Sequence, residues 1–352
     1  MQKTNSKTIL YSNNCWNIKL ATLELLYPRI IHAELLTHRD FSRNAASSRA
    51  IPSLKMINAI REDMFIPKHI QKDHSGMQGS SYLSVDQTKE YQKLWENAAH
   101  FNIWTAWQMT KELGATKQMN NRMLEWCQWY KSLVSSTQWD NFYELRNSKY
   151  IIQGEGYSSQ KEAIERYPYM ADFSELDWLE INKGDAEIHF RELAENIYVT
   201  LNGSEAKMLK EGEWHTPYAD MYADLENTKE KIKVSSSKSA QTSYTVIGID
   251  GKPSSKERLF EIHDGLIDKR HSSPLEHPSR VMFEREFFTL SRKHLSNNIS
   301  ERLEKEQTQG ITTINDSTID GWKYVIEEFG WCDNFRGWIQ YRNIVKNKGL
   351  IN

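Results

Sequence analysis

The chain has little of what marks a disulfide-bonded, metal-bound or membrane-inserted protein. Its 352 residues include three cysteines, Cys15, Cys127 and Cys332, which lie far apart and form no CxxC pair. This pattern favours neither a disulfide framework nor a zinc site, so no metal is expected. No run of about 18 apolar residues occurs, and Met1 to Asn14 lacks an apolar signal core. We therefore expect a cytoplasmic protein without a membrane partner.

An excess of charge of one sign is also missing. The net charge is −2, which gives no global basic field for binding nucleic acid. No GxGxxG follows a strand and no GxxxxGK[ST] occurs, which argues against a dinucleotide-binding Rossmann fold and a P-loop kinase. Aromatic residues are plentiful, with 12 Trp and 16 Tyr, and these suit flat ligands as well as core packing.

Residues 38 to 49 carry a dense group of polar side chains, followed by Pro52. The polar positions are His38, Arg39, Ser42, Asn44, Ser47 and Arg49. Guanidinium forks and hydroxyls at this spacing suit a phosphorylated ligand, because Arg binds phosphate oxygens two at a time. The alternative is a helix end capped by Ser42 or Ser47, with solvated arginines. The residues alone leave both interpretations open.

A second group lies at residues 139 to 146, after a strongly aromatic stretch. Asn141 could contact the edge of a pyrimidine, and Arg146 could lie near negative charge that develops on it. The alternative is an amphipathic helix whose arginine is solvated.

A third group lies at residues 271 to 277. His271 and Ser273, just before Pro274, could hydrogen-bond a cofactor phosphate or ring edge. The alternative is a proline turn beside a buried Glu276–His277 pair.

Apolar periodicity predicts the main elements. A strand is predicted at Ile18 to Arg29 and a short helix at Pro28 to Thr37. Further helices are predicted at Lys89 to Glu112, at Asn121 to Val134, from about Gln138, at 186 to 201 and at Ser254 to Lys269. The polar stretch Glu226 to Thr242 indicates a linker.

Two short segments rich in polar and aromatic residues, Glu213 to His215 and Asn334 to Arg342, are expected to serve packing. The second would place Arg336 and Gln340 on one helical face, four residues apart.

The segment from Thr37 to Arg49 resembles the signature of flavin-dependent thymidylate synthases. That signature reads Arg-His-Arg, two residues, Ser, one residue, Asn-Glu, one residue, Ser, one residue, Arg. Six of its eight positions match, whereas Thr37 replaces the first Arg and Ala45 replaces the Glu.

Other segments resemble the same family. Residues 141 to 146 are similar to its Asn-Phe-x-x-Leu-Arg stretch, and residues 271 to 277 to its His-x-Thr/Ser-Pro-Phe-Glu-His segment. Residues 121 to 125 resemble the helix that lends an Arg to the nucleotide phosphate from a neighbouring subunit. Residues 185 to 188 and 239 to 244 resemble two shorter family segments, and the resemblance touches about a third of the chain.

The order of these segments indicates a circular permutation, as in viral members of the family. In compact members the segments found here at 239–244 and 271–277 precede the arginine motif. Permutation is tolerated when the old termini are close and the new cut is exposed.

The fold class that the resemblance implies is α/β, with a helical body packed on a small, mostly antiparallel sheet. Residues 1–225 would carry the signature and the helical nucleotide- and flavin-binding part, and 226–352 the permuted segment that completes the same catalytic fold. An insertion at 147–184, with few periodic apolar residues, would form a surface lobe or a subunit contact.

The resemblance implies reductive methylation of dUMP to dTMP, with FAD as cofactor and methylenetetrahydrofolate and NADPH as co-substrates. It implies a homotetramer in which each FAD is held by several subunits, located in the cytoplasm, or in the host cytoplasm for a viral protein.

The resemblance also implies residue roles. Arg146 would be catalytic and would polarise the pyrimidine. Substrate binding would involve Ser47, Arg49, Arg122 and Arg146. The flavin or folate would be lined by His38, Arg39, Asn141, His271 and Ser273.

Two departures leave the product open. Thr37 removes a guanidinium expected near flavin and substrate, and Ala45 removes a carboxylate expected near the nucleotide. One alternative is a flavin- and folate-dependent hydroxymethylation of a pyrimidine nucleotide, with water in place of hydride. Another is a non-catalytic nucleotide-binding scaffold that lost the flavin.

Overall fold

The computed structural model describes residues 3–75, 79, 81–244, 254–290 and 329–351, which form a mixed α/β protein. The strands in this part are β1 Asn5–Asn13, β2 Lys19–Pro28, β3 Ser42–Ala45, β4 Trp129–Ser136, β5 Tyr150–Ile152, β6 Glu155–Tyr157, β7 Lys207–Met208, β8 Trp214–His215, β9 Ser279–Val281, β10 Trp331–Cys332, β11 Phe335–Arg336 and β12 Trp338–Gln340. The α-helices are α1 His32–Leu35, α2 Ser53–Glu62, α3 Val85–Lys111, α4 Lys117–Asn120, α5 Asp140–Arg146, α6 Gln160–Arg166, α7 Glu175–Ile181, α8 Ile188–Asn202, α9 Thr228–Gln241, α10 Lys256–Asp268, α11 Glu284–Thr289 and α12 Tyr341–Asn347.

A five-stranded sheet in the order β3-β4-β2-β1-β7 organises the fold. The pairing is antiparallel except between β1 and β7, which confirms the prediction of a small, mostly antiparallel sheet. The predicted strand at Ile18 to Arg29 is β2, in the centre of the sheet. Helix α8 packs Phe190 and Leu193 into the same core as Leu23 and Leu25 of β2.

Several predicted helices are confirmed. Helix α3 begins after a capping box formed by Ser84 and Gln87 and ends before Gly114, which has a φ of +61°. Helices α5, α8 and α10 lie close to their predicted ranges, and the segment after β2 forms a short 3-10 turn and α1. In the described ranges, no helix combines the length and the apolar character that crossing a membrane requires.

The helix predicted at Asn121 to Val134 is wrong. A 3-10 helix at Asn121–Cys127 leads into β4, which pairs with β2 on one side and β3 on the other. A short apolar and aromatic run fits a helix or a buried strand equally well by periodicity. This segment forms a strand because it hydrogen-bonds to two strands that are distant in sequence, β2 and β3.

The linker predicted at Glu226 to Thr242 is also wrong, because this stretch forms α9. Asn227 caps the helix, and four of its serines, Ser235, Ser236, Ser237 and Ser239, are fully buried. Small side chains allow α10 to approach closely, and the Ser237 hydroxyl donates to the Leu259 carbonyl of α10. The low apolar content of this stretch therefore led to the wrong prediction of a linker, although the stretch forms a buried helix.

The insertion at 147–184 holds the β5–β6 hairpin, α6 and α7 around its own core. That core consists of Tyr150, Ile152, Ala163, Met170 and Trp178. Arg336 and Gln340 do not share a helical face, because they lie on β11 and β12. The packing role expected there holds, since Trp338 and Gln340 are fully buried.

Three buried histidines make stability depend on pH. Burial is the largest cause that lowers the pKa of His32, His215 and His277 to about 3 each, and the nearby Arg29 and Arg43 add to this for His32. The pKa in the unfolded chain is about 6.5. Between these values the unfolded chain binds protons that the native protein does not, so the free energy of unfolding falls as pH falls.

We expect the protein to be most stable above about pH 6.5 and to lose up to about 1.4 kcal/mol per pH unit for each buried histidine below it. Urea unfolding at pH 7.5 and pH 5.5 measures this loss. The variant H100Q, at an exposed position, serves as the control. Its free energy of unfolding should change between the two pH values by as much as that of the wild type. Equal unfolding free energies at the two pH values would contradict the prediction.

Candidate functional site

The segment matched to the signature is an edge strand followed by a turn. Residues 42 to 45 form β3, which pairs with β4. In the turn, the Ser47 carbonyl accepts hydrogen bonds from the backbone N–H groups of Ala50 and Ile51, and Pro52 precedes α2. Neither Ser42 nor Ser47 caps a helix, so the helix-end interpretation is wrong.

A cleft of about 570 Å³ opens beside this turn. It brings together four residues that the sequence marks as site candidates, namely Ser47, Arg49, His271 and Ser273. The Ser47 backbone N–H donates to the Ser243 carbonyl at 3.0 Å, which fixes the turn against the end of α9. The structure thus places the signature and the segment at 271–277 on two walls of one cleft.

The charge of the cleft is one-sided. Its described lining contains the guanidinium groups of Arg49 and Arg270, the imidazole of His271 and several hydroxyls, but no Asp or Glu. This donor set fits a phosphate group, whether of a nucleotide or of a flavin dinucleotide. Across the described ranges, no three His, Cys, Asp or Glu side chains cluster as a metal site would require.

Asn44 joins the two motifs directly. Its Nδ2 donates to Ser273 Oγ at 3.3 Å, and its Oδ1 lies 2.9 Å from His277 Nε2. The alternative interpretation, a buried Glu276–His277 pair, is not what the structure shows. Glu276 instead accepts from Arg342 Nη1 at 2.5 Å, and His277 Nδ1 lies 2.8 Å from Ser135 Oγ.

A second group forms around Arg146 at the end of α5. Its Nε donates to His38 Nε2 at 3.2 Å, and its Nη1 lies 3.5 Å from Glu34 Oε2. The guanidinium lies over the Phe190 ring, with 5.1 Å from its carbon to the centroid. Burial, with Arg146 next in importance, lowers the pKa of His38 to about 4, so His38 is neutral and can accept this hydrogen bond.

Glu34 differs from an ordinary surface carboxylate. Burial raises its pKa, and the nearby Arg146 opposes that rise only partly. Arg146 therefore lies beside the neutral imidazole of His38 and beside the Glu34 carboxyl, which is 3.5 Å away. The Arg146 side chain is 24% exposed. Such an arrangement leaves guanidinium N–H groups available to a ligand.

The remaining candidates lie elsewhere on the chain. Arg39 and Asn141 are exposed, and neither lines the cleft. Arg122 is half exposed and pairs with Glu125 at 2.8 Å, and Glu125 also accepts from Ser48 of the signature turn. A single chain therefore gathers six of the nine candidates into two groups, four at the cleft and two, His38 and Arg146, at the end of α5.

Sequence reasoning missed three partners of these groups. Asn44 was marked only as one polar position, and its capacity to bridge two motifs follows from a donor and an acceptor on one side chain. His277 and Glu34 had no assigned role. The exposed Gln118 from α4 also lines the cleft, and nothing in its local sequence signals this.

No protein-family model matches the sequence, and no curated protein is significantly similar to it. Among solved structures, the UMP/dUMP methylase PolB from Streptomyces cacaoi bound with 5-Br UMP is 12% identical, with a TM-score of 0.39 over 57% of this chain and 89% of that one. A second structure of PolB, bound with 5-Br dUMP, is 14% identical, with a TM-score of 0.29 over 46% of this chain and 67% of the other. At this level the likeness assigns this chain to no family.

Proposed function

We propose that the chain is a pyrimidine-nucleotide methylase that converts dUMP to dTMP, with FAD as cofactor, methylenetetrahydrofolate as carbon donor and NADPH as reductant. The carrying observation is the contact between two motifs that lie far apart in sequence. Asn44 of one motif hydrogen-bonds Ser273 and His277 of the other, beside a cleft without described carboxylates. This contact supports the proposal that the two segments belong to one site despite their permuted order.

The cleft is the proposed phosphate site. Ser47 and Arg49 would bind the phosphate of dUMP through a hydroxyl and a guanidinium. In an assembled homotetramer, Arg122 of a neighbouring subunit would add a second guanidinium. The exposed position of Arg122 leaves it accessible for such a role.

Arg146 is the proposed catalytic residue. A guanidinium beside the pyrimidine stabilises negative charge that develops on the ring during carbon transfer. His38 accepts from Nε and so orients the guanidinium, while the Phe190 ring supports its flat face. This role requires no Ser or Cys nucleophile.

The cleft donors fit a phosphate-bearing flavin as well as a nucleotide. His271 and Ser273 would hold the FAD, and His38, Arg39 and Asn141 would complete its site in the oligomer. When bound, the flavin supplies the reducing equivalent for methylation. The protein contributes binding, orientation and charge.

Hydroxymethylation is the second candidate, and two positions favour it. Position 37 has no guanidinium, because it is a threonine. Its hydroxyl donates to the Glu34 carbonyl at 2.7 Å. Ala45 ends β3 without a carboxylate. A site with these two groups removed would admit water more readily than the family site. Mass analysis of the product distinguishes a methyl from a hydroxymethyl group.

The first test combines spectroscopy with a binding variant. Purified protein titrated with FAD should show a flavin band that shifts on addition of dUMP. R49A should weaken dUMP binding by about 1.5 to 3 kcal/mol, because one charge-assisted pair is lost, and should leave deoxyuridine binding unchanged. The exposed Arg61 provides the control variant R61A. Unchanged dUMP affinity in R49A would refute the phosphate role, and no flavin binding would favour the scaffold.

The second test concerns catalysis. R146A should lower turnover by about a hundredfold or more while FAD stays bound, because stabilisation of the developing charge is lost. The flavin spectrum reports cofactor retention, and single-turnover kinetics report the chemical step. R61A again controls for the loss of one positive charge. Turnover within a few-fold of wild type would remove Arg146 from the mechanism.

A further inference from the structure

A chain of seven polar side chains runs through the sheet and ends at the cleft. Its members, in order, are Ser12, His215, Thr22, Ser135, His277, Asn44 and Ser273. The six links measure between 2.6 and 3.3 Å. All members except Ser273 are buried, and five of them are fully buried. The proposed function uses only the last three members, His277, Asn44 and Ser273, which leaves the other four unexplained.

The chain must have a single polarity. Among the described residues, the Thr22 and Ser135 hydroxyls have no hydrogen-bond acceptor outside the chain, so each donates within it, and reversing one link reverses all the others. The two imidazoles obey this rule only when neutral, and burial lowers the pKa of His215 and of His277 to about 3. Two polarities are therefore possible, one with both protons on Nε2 and one with both on Nδ1.

The amide of Asn44 shows which of the two polarities the structure has. Its Nδ2 faces Ser273 and its Oδ1 faces His277, so His277 Nε2 must carry the proton. His277 Nδ1 then accepts from Ser135, and Ser135 accepts from Thr22. By the same rule, Thr22 accepts from His215 Nε2, and His215 Nδ1 accepts from Ser12.

This polarity fixes the last hydroxyl. Ser273 Oγ accepts from Asn44, so its own proton is free to point into the cleft beside Arg49. The chain orients and does not conduct protons, because an amide passes a proton only by becoming an imidic acid. An outward O–H suits a phosphate oxygen, whereas the opposite polarity would turn that proton inward.

We propose that this buried chain holds Ser273 as a hydrogen-bond donor toward a phosphate in the cleft, with Thr22 and Ser135 acting as remote positioning residues. The inference rests on the proposed function, since it deepens the phosphate role of the same cleft. It adds residues of the central sheet, which no family motif marks, to the determinants of binding.

The variant T22V breaks the chain between His215 and Ser135 with little change of shape. The variant T8V is the matched control, because Thr8 lies on the neighbouring β1 and its hydroxyl pairs with Ser204, outside the chain. Long-range ¹H–¹⁵N spectra of histidine-labelled protein report the tautomers. Comparison with H215N and H277N assigns the signals.

We expect the wild type and T8V to show His215 and His277 neutral at pH 7 with the proton on Nε2, and T22V to show a tautomer mixture at His277. Protons on Nδ1 in the wild type would overturn the proposal, because Ser273 would then donate inward. Wild-type tautomers in T22V would overturn it as well.

Binding gives the second measurement, with inorganic phosphate, dUMP and FAD as probes. S273A should weaken phosphate binding about tenfold, T22V about threefold and T8V not at all. Unchanged phosphate affinity in T22V would refute the positioning role.

The two proposals can fail separately. If the wild type binds inorganic phosphate but neither dUMP nor FAD, the proposed function falls, and T22V still decides the positioning role. If the wild type binds none of the three probes, inorganic phosphate, dUMP and FAD, both proposals fail. Selective weakening of dUMP or of FAD in S273A identifies whose phosphate Ser273 contacts.

Discussion

The hydrogen bonds of one amide, on Asn44, hold the candidate site together. Asn44 is buried on the edge strand β3, and its two polar atoms join the signature to the segment at 271–277. Removal of this amide would leave the fully buried His277 with an unsatisfied nitrogen, which costs about 1 to 3 kcal/mol. The register of β3 against β4 sets where the Asn44 amide lies, so the sheet positions this wall of the cleft.

The electrostatics of the site depend on which charged side chains lie close to one another. Arg342 pairs with Glu276 and Asp333 away from the cleft, whereas the described cleft lining holds arginines and no carboxylate. The positive side chains of the cleft lining favour an anion as ligand. At Arg146, burial keeps the nearest partner, His38, neutral, and the carboxyl of Glu34 lies farther away, 3.5 Å from Nη1. Each group therefore presents a guanidinium, Arg49 or Arg146, to a ligand.

Local sequence predicts this fold where periodicity and capping are strong, as at β2, α3 and α8. It fails at β4, which depends on pairing with distant strands, and at α9, whose serines are buried only because α10 packs against them. The motifs identified four residues that the cleft gathers, although no spacing rule relates positions 49 and 271. Bridging contacts such as that of Asn44 arise from tertiary packing, which periodicity does not encode.

The division of the candidates into two groups carries a physical consequence. Charge stabilisation by Arg146 is strongest where water is excluded, yet the Arg146 side chain is 24% exposed. Leu36, two residues from both Glu34 and His38, and Leu145, next to Arg146, are exposed by 48% and 49%. Exposed apolar side chains beside the proposed catalytic arginine favour a surface that a partner or ligand covers. The proposed homotetramer and bound flavin would supply that cover, and the exposed Arg39 and Asn141 would then gain ligands that one chain alone does not provide.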